Sequence, residues 1–249
     1  MPALENDVVI VTGASTGIGE ATAKRFADAG ASVVAADVNV DDGTHTVMDI
    51  EDAGGEATFV ETDVTDAHDM QELVDVALET YGGLDAAFNN AGIEGERAPL
   101  AEQSLENFEQ VIAVNLRGVF QGMRAQIPAM LDDGGGAIVN TASIAGKVGF
   151  PNISPYTASK FGVIGLTKNA ALEYSDEGVR VNAVCPGVID TPMVQGSEQE
   201  AIEGAIAATP IGRLGESPEI ADAVTWLCSD AASFVTGETL VVDGGYLSQ

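Results

Sequence analysis

The chain has 249 residues and carries 39 Asp plus Glu against 10 Lys plus Arg, a formal charge of −29 with a pI near 4.1. Its hydrophobic share of 45% argues against disorder, which needs low hydrophobicity together with high charge. The charge disfavours nucleic acid or an anionic membrane as partner, since affinity for either comes largely from Lys and Arg.

In chain order, short apolar or β-branched runs at 8–11, 32–36, 57–60, 84–88, 137–140, 179–184 and 239–242 read as strands. Helical spacing follows the first run through Ile18, Ala21, Thr22, Phe26 and Ala29, with Gly30 as its stop. Further helices are predicted near 41–53, 66–81, 104–130, 155–175 and 218–229, with Thr65 and Ser217-Pro218 as starts. Near-continuous apolar strands alternating with helices predict a single α/β domain: a doubly wound, Rossmann-type parallel sheet of about seven strands flanked by helices. Residues 186–216, rich in Gly, Thr and Pro, take no clear assignment and read as a lid.

The N-terminus shows no basic region followed by an apolar stretch, and no apolar run approaches a membrane span. Cys185 and Cys228 cannot form a disulfide framework, and with His45 and His68 they show no metal-site spacing. A cytoplasmic protein without a metal site is expected. The acids are spread along the chain, and lysine is confined to Lys24, Lys147, Lys160 and Lys168. That pattern resembles proteins adapted to a saturated-salt cytoplasm, where screening tolerates a high net charge. Residues 154–172 hold no acid, so a face of that helix is expected in the core or against another subunit.

The first strand runs into Thr12-Gly13-Ala14-Ser15-Thr16-Gly17-Ile18-Gly19. Glycines there allow a tight turn and bring backbone N–H groups close to a pyrophosphate at a helix N-terminus. Asp37, 18 residues beyond Gly19, can accept hydrogen bonds from both ribose hydroxyls of NAD and repel the 2′-phosphate of NADP. NAD is therefore expected as cofactor. The segment 13–17 also fits G-x-S-x-G, the nucleophile elbow of hydrolases, but that chemistry needs a histidine later in the chain and none follows His68. A second constellation is Tyr156-Thr157-Ala158-Ser159-Lys160. At i and i+4 the cation and the phenol share a helical face, and a nearby cation is expected to lower the phenol's pKa toward neutrality.

Taken with Asn89-Asn90-Ala91-Gly92 and Pro186-Gly187, these motifs make the chain resemble the short-chain dehydrogenase/reductase family from residue 7 to 245. The resemblance implies a Ser–Tyr–Lys–Asn catalytic set at Ser143, Tyr156, Lys160 and Asn115. Tyr156 exchanges the proton, Lys160 depresses its pKa and binds the nicotinamide ribose, Ser143 polarises the substrate oxygen, and Asn115 holds a relay water. Thr141 and Ser159 have no matching role. The resemblance places Gly13, Ser15, Gly17, Ile18 and Gly19 at the pyrophosphate, Asp37 at the adenosine ribose, and Asp63 and Val64 at the adenine. Asn90, Ala91 and Gly92 touch the cofactor, and Pro186, Gly187, Ile189 and Thr191 close over the nicotinamide. About 7–92 then form the dinucleotide-binding half, and 93–249 the catalytic half with a lid near 188–215.

The implied reaction is hydride transfer between NAD(H) and a small secondary alcohol or ketone: a sugar, polyol, cyclic diol or simple alcohol. The substrate pocket is expected from Ile144, Ala145, Phe150, the 94–97 loop and the lid, with Arg97, Lys147 and Arg213 as candidate anchors for a carboxylate or polar substrate. A 3-oxoacyl-carrier-protein reductase is the alternative enzyme; Asp37 disfavours its usual NADPH, and the acidic surface would repel an acidic carrier at moderate salt. An NAD-binding regulator is the non-enzyme alternative, weakened because all four catalytic positions are filled. A homotetramer is expected, pairing through charge-poor helices near 107–131 and 154–172. Both cysteines and Trp226 read as core.

Overall fold

The central apolar runs become strands covered on both faces. In the computed structural model, which describes residues 4–196 and 199–248, every residue of β1 (Val8–Thr12) is buried. Val8 and Ile10 pack into one core and Val9 and Val11 into another, so alternate side chains fill both sides of the sheet. The chain continues through α1 (Gly17–Asp28), β2 (Ser32–Asp37), α2 (Val40–Asp52), β3 (Glu56–Glu61), α3 (Ala67–Tyr81) and β4 (Ala86–Asn89). Next come α4 (Leu105–Ile112), α5 (Gly118–Asp132), β5 (Gly136–Thr141), α6 (Ser154–Tyr174) and β6 (Val179–Pro186). The last part holds β7 (Ile189–Asp190), α7 (Pro192–Gln195), α8 (Gln199–Ala208), β8 (Gly215–Glu216), α9 (Ser217–Cys228) and β9 (Thr239–Val242).

The seven-stranded sheet is ordered β3-β2-β1-β4-β5-β6-β9, and all its pairs are parallel. Its strand order reverses between β1 and β4, and ligands of open α/β sheets bind outside the strand C-termini at such a switch point. α1 packs against α9 on one face; α3, α5 and α6 cover the other. Among the described residues no helix is long and apolar enough to cross a membrane.

Several sequence expectations need correction. Strand β4 starts at Ala86 rather than 84, because the Asp85 carboxylate turns back to accept the Val8 N–H at 2.7 Å. Asp66, not Thr65, caps α3, its carboxylate accepting from His68 N at 2.7 Å. The helix predicted over 104–130 is two, α4 and α5, joined by a π-helical turn at Ala113–Arg117. The 186–216 stretch is no plain loop: it holds β7, α7, α8 and β8, with β7 and β8 pairing as a separate two-stranded sheet.

Candidate active site

Beyond β1 the chain makes a turn that only glycine can make. Gly13 and Gly17 have φ of +68° and +59°, a region L side chains rarely adopt. A Cβ on Gly13 would lie 2.9 Å from Ala91 Cα, and one on Gly19 would lie 1.9 Å from the Gly13 carbonyl oxygen. The turn is therefore packed onto the segment after β4, and Asn90 holds it there by donating to the Thr12 and Gly13 carbonyls at 3.2 and 3.3 Å. Thr12 Oγ1 in turn accepts from Asn90 N and Ala91 N at 3.0 and 3.2 Å. Asp37 ends β2 beside this turn. Its two carboxylate oxygens accept from Ser15 N and Asn39 N, each at 3.0 Å, which fixes the carboxylate's orientation.

Three strand ends further along, β5 and α6 bring the second group together. Ser143 follows β5 in extended backbone, and its hydroxyl accepts from Ala145 N at 3.1 Å. Tyr156 and Lys160 are one turn apart on α6, with Lys160 Nζ 5.4 Å from the centre of the Tyr156 ring. Lys160 is buried and donates to the Thr141 carbonyl at 2.7 Å. Desolvation lowers this ammonium from 10.5 to about 8. The same burial raises the Tyr156 phenol from 10.0 to about 12, against a hydrogen bond with Ser143 that lowers it and with Glu94 raising it further. The expected lowering of the phenol toward neutrality is thus not found: burial sets the direction of its shift.

Asn115 lies in the π turn, completely buried. Its Oδ1 accepts from Ile93 N and its Nδ2 donates to Ile93 O, both at 2.8 Å, so it clamps the β4 loop to the helix. Ser159, which had no expected role, accepts from Asn115 Nδ2 at 3.2 Å and donates to Tyr156 O at 2.7 Å. Thr141 supplies the carbonyl that anchors Lys160. Beneath them Asn89 donates to Gln126 and Asn140, each at 3.0 Å, and Asn140 donates to Thr167 at 3.0 Å. This buried polar network ties β4 and β5 to α5 and α6.

One cleft of about 730 Å³ joins the glycine turn, Asp37, Ser143, Tyr156 and Lys160. It also takes in Ile18, Asp63, Val64, Asn90, Ala91, Gly92, Pro186, Gly187, Ile189 and Thr191. Ser15, Gly19 and Asn115 do not line it; they stand behind it as supports. The pocket residues Ile144, Ala145, Phe150, Glu94 and Arg97 line it, whereas Lys147 and Arg213 do not. Sequence reasoning missed Ile93, Ile153 and Tyr246. Tyr246 reaches the cleft because Gly244 and Gly245, with φ of +61° and +89°, turn the C-terminal segment back, and its ring lies 5.9 Å from that of Phe150. Cys185 and Cys228 are buried, as expected, and Trp226 packs against the core beside α1. Among the described residues no group of His, Cys, Asp or Glu is placed to hold a metal ion.

The cleft suits an extended ligand with an anionic middle. The crowded glycines leave bare backbone at the N-terminus of α1, where a Cβ would collide, and Asp37 stands at one end with its lone pairs oriented. These features fit a dinucleotide.

A family model described as Enoyl-(Acyl carrier protein) reductase matches residues 13–247. The chain is 48% identical to the cyclohexanol dehydrogenase of Acinetobacter sp. (strain SE19), over 98% of this chain and 96% of that protein. It is 44% identical to a 2,5-dichloro-2,5-cyclohexadiene-1,4-diol dehydrogenase of Sphingobium indicum, over 99% of both chains. The crystal structure of levodione reductase superposes with a TM-score of 0.94 at 38% identity, covering 98% of each chain.

Proposed function

The chain belongs to the short-chain dehydrogenase/reductase family and is a nicotinamide-dependent oxidoreductase of secondary alcohols and ketones, and we propose that it uses NAD(H) on an alicyclic alcohol or its ketone. The observation that carries this reading is the convergence of Ser143, Tyr156 and Lys160 in the cleft that also holds the glycine turn and Asp37. Gly13, Gly17 and Ile18 would lie along the pyrophosphate, with Ser15 and Gly19 as supports, Asp37 at the ribose, and Asp63 and Val64 at the adenine. Asn90, Ala91 and Gly92 would flank the middle, and Pro186, Gly187, Ile189 and Thr191 the nicotinamide. When bound there, the nicotinamide supplies or accepts the hydride.

The chain's own residues supply orientation and the proton. Ser143 donates to the substrate oxygen and Tyr156 gives it a proton in reduction or takes one in oxidation. With its phenol held protonated by burial, Tyr156 is set as a donor at neutral pH. The Lys160 ammonium over the ring favours the phenolate that forms. A Cβ on Gly92 would sit 3.3 Å from Asn115 Oδ1 and 3.6 Å from Lys160 Nζ, so the bare glycine lets the loop pack closely between the two side chains. Asp37 supports NAD over NADP, because the cations lining the cleft are Arg97 and Lys160, both far along it in sequence and neither beside the β2 end. Residues 7–92 would carry the dinucleotide and 93–249 the chemistry, with 188–215 as the lid.

Tyr156→Phe is expected to lower kcat/KM for alcohols by a hundredfold to ten-thousandfold, while NAD still raises the melting temperature and NADP at equal concentration does not. Retained turnover in that variant defeats the assignment; stabilisation by NADP alone defeats the cofactor.

The same reading extends to assembly and setting. Leu105, Phe108, Phe120, Phe161 and Leu172 are exposed on helices α4 to α6, and 110–131 and 154–172 carry no acid. On a surface this acidic, such faces support a homotetramer, in a salt-rich cytoplasm that screens the remaining charge. Light scattering in molar KCl should give four chains; one or two would refute it.

A further inference from the structure

Resting on the alcohol/ketone reading, we propose that Glu94 selects the substrate: its carboxylate accepts a hydrogen bond from a second hydroxyl on the ring, favouring cyclic diols and turning away ring carboxylates. Glu94 lines the same cleft as Ser143 and Tyr156. Its side chain is 21% exposed and pairs with Arg97 Nη2 at 2.7 Å, while the Arg97 side chain is 56% exposed, so the arginine approaches from solvent and the carboxylate from within. Glu94 is also near enough to Tyr156 to help hold the phenol protonated.

The loop that presents it is built rather than loose. Asn115 grips Ile93 on one side, through both its N–H and its carbonyl. On the other side the buried Asn107 accepts from Glu96 N at 2.9 Å, and Gln103 donates to Ala98 O at 2.8 Å. Glu94 is therefore held between two fixed points, as selection by a single hydrogen bond requires.

The cations that could have welcomed a carboxylate are engaged. Lys147 donates to Thr239 Oγ1 at 2.6 Å, and Arg213 forks onto Glu219 through two contacts of 2.8 Å. Arg97, which does line the cleft, is held on Glu94 Oε1 with its side chain the more exposed of the two. A ring carboxylate entering there meets the inward carboxylate of the pair ahead of its guanidinium. A ring hydroxyl meets an acceptor with lone pairs beyond the one Arg97 occupies.

The test uses the full chain with NAD⁺ and a panel of cyclohexanol, 1,2- and 1,4-cyclohexanediols and 4-hydroxycyclohexanecarboxylate. At least one diol is expected to exceed cyclohexanol in kcat/KM by tenfold or more, the worth of a hydrogen bond to a charged group. Glu94→Leu should bring that ratio near unity; Glu94→Gln, which keeps an acceptor oxygen, should retain part of it and admit the carboxylate. An unchanged ratio in Glu94→Leu, or a preference for cyclohexanol over every diol in the unaltered enzyme, overturns the proposal. Should Glu94→Leu not fold, Glu94→Gln decides alone: continued rejection of the carboxylate refutes the role. Turnover of cyclohexanol with flat preferences sinks only Glu94, whereas an unaltered enzyme that binds NAD and oxidises nothing in the panel sinks the alcohol reading as well.

Discussion

Near each end of the parallel sheet lies an ionisable group whose pKa is displaced from its ordinary value. At the C-terminal end Lys160 is lowered to about 8 by desolvation, its ammonium anchored on the Thr141 carbonyl above the Tyr156 ring. At the N-terminal end Asp7, just ahead of β1, is raised to about 6 by burial and by the charges of Asp85 and Asp230. The sizes of the two displacements are similar. Only the first group faces a cleft with a hydroxyl, a phenol and a bare glycine turn around it. A shifted ionisation therefore reports burial, and becomes chemistry only where a concave site gives the proton somewhere to go.

That contrast is sharpest in activity. Lys160→Met should cost a thousandfold or more in kcat/KM, since it removes the charge that favours phenolate, yet leave the fold intact by replacing a desolvated cation with a side chain of similar length. A loss of less than tenfold in steady-state assays would make Lys160 no more functional than Asp7.

The two groups also predict opposite slopes of stability against pH. Between about 8 and 10.5 the unfolded chain holds the Lys160 proton more tightly than the folded one, so this group makes stability rise with pH across that window. Between 3.8 and about 6 the folded chain holds the Asp7 proton more tightly, so stability falls as pH rises there. Asp7→Asn should accordingly stabilise by about 1 kcal/mol at neutral pH, after allowance for solvent screening at a half-exposed carboxyl, and by nothing below pH 4. Thermal melts from pH 4 to 8 in moderate salt would read it, and molar KCl should shrink it. An equal gain at pH 4 would remove Asp7 from the comparison.

The strands, the sheet class and the Tyr156–Lys160 pair were legible because each rests on a local pattern: apolar runs for β1 to β6, a four-residue spacing for the pair on α6; Ser143 was named only through the family resemblance. The π turn was not, since one extra residue per turn over 113–117 leaves the apolar pattern of 104–130 looking like one helix. Asn115 was found by its motif, but its grip on Ile93 belongs to tertiary structure. The short helices in the 186–216 stretch were hidden by Gly and Pro on either side of modest runs such as 199–208. Burial, which sets the direction of both the Tyr156 and Lys160 shifts, depends on what α6 packs against, and spacing along one helix carries no record of that. Asp37 was singled out from its place at the end of β2, whereas the two backbone donors that orient its oxygens come from separate turns.

The small β7–β8 pair has a wider meaning. Ile189 meets Gly215 and Asp190 meets Glu216, and a Cβ on Gly215 would lie 2.5 Å from Ile189 Cδ1, so the two ends of the excursion between them are pinned side by side. Ring closure is thus already made by the scaffold, and the chain between the pins can lengthen or shorten at an entropic cost that grows only with the logarithm of its length. Met193, Val194, Ala201 and Ile202, which wall the cleft, all belong to that span. The enzyme carries one wall of its cleft as an exchangeable cassette, which can be remodelled while the sheet, the glycine turn and the Ser143, Tyr156 and Lys160 cluster stay as they are.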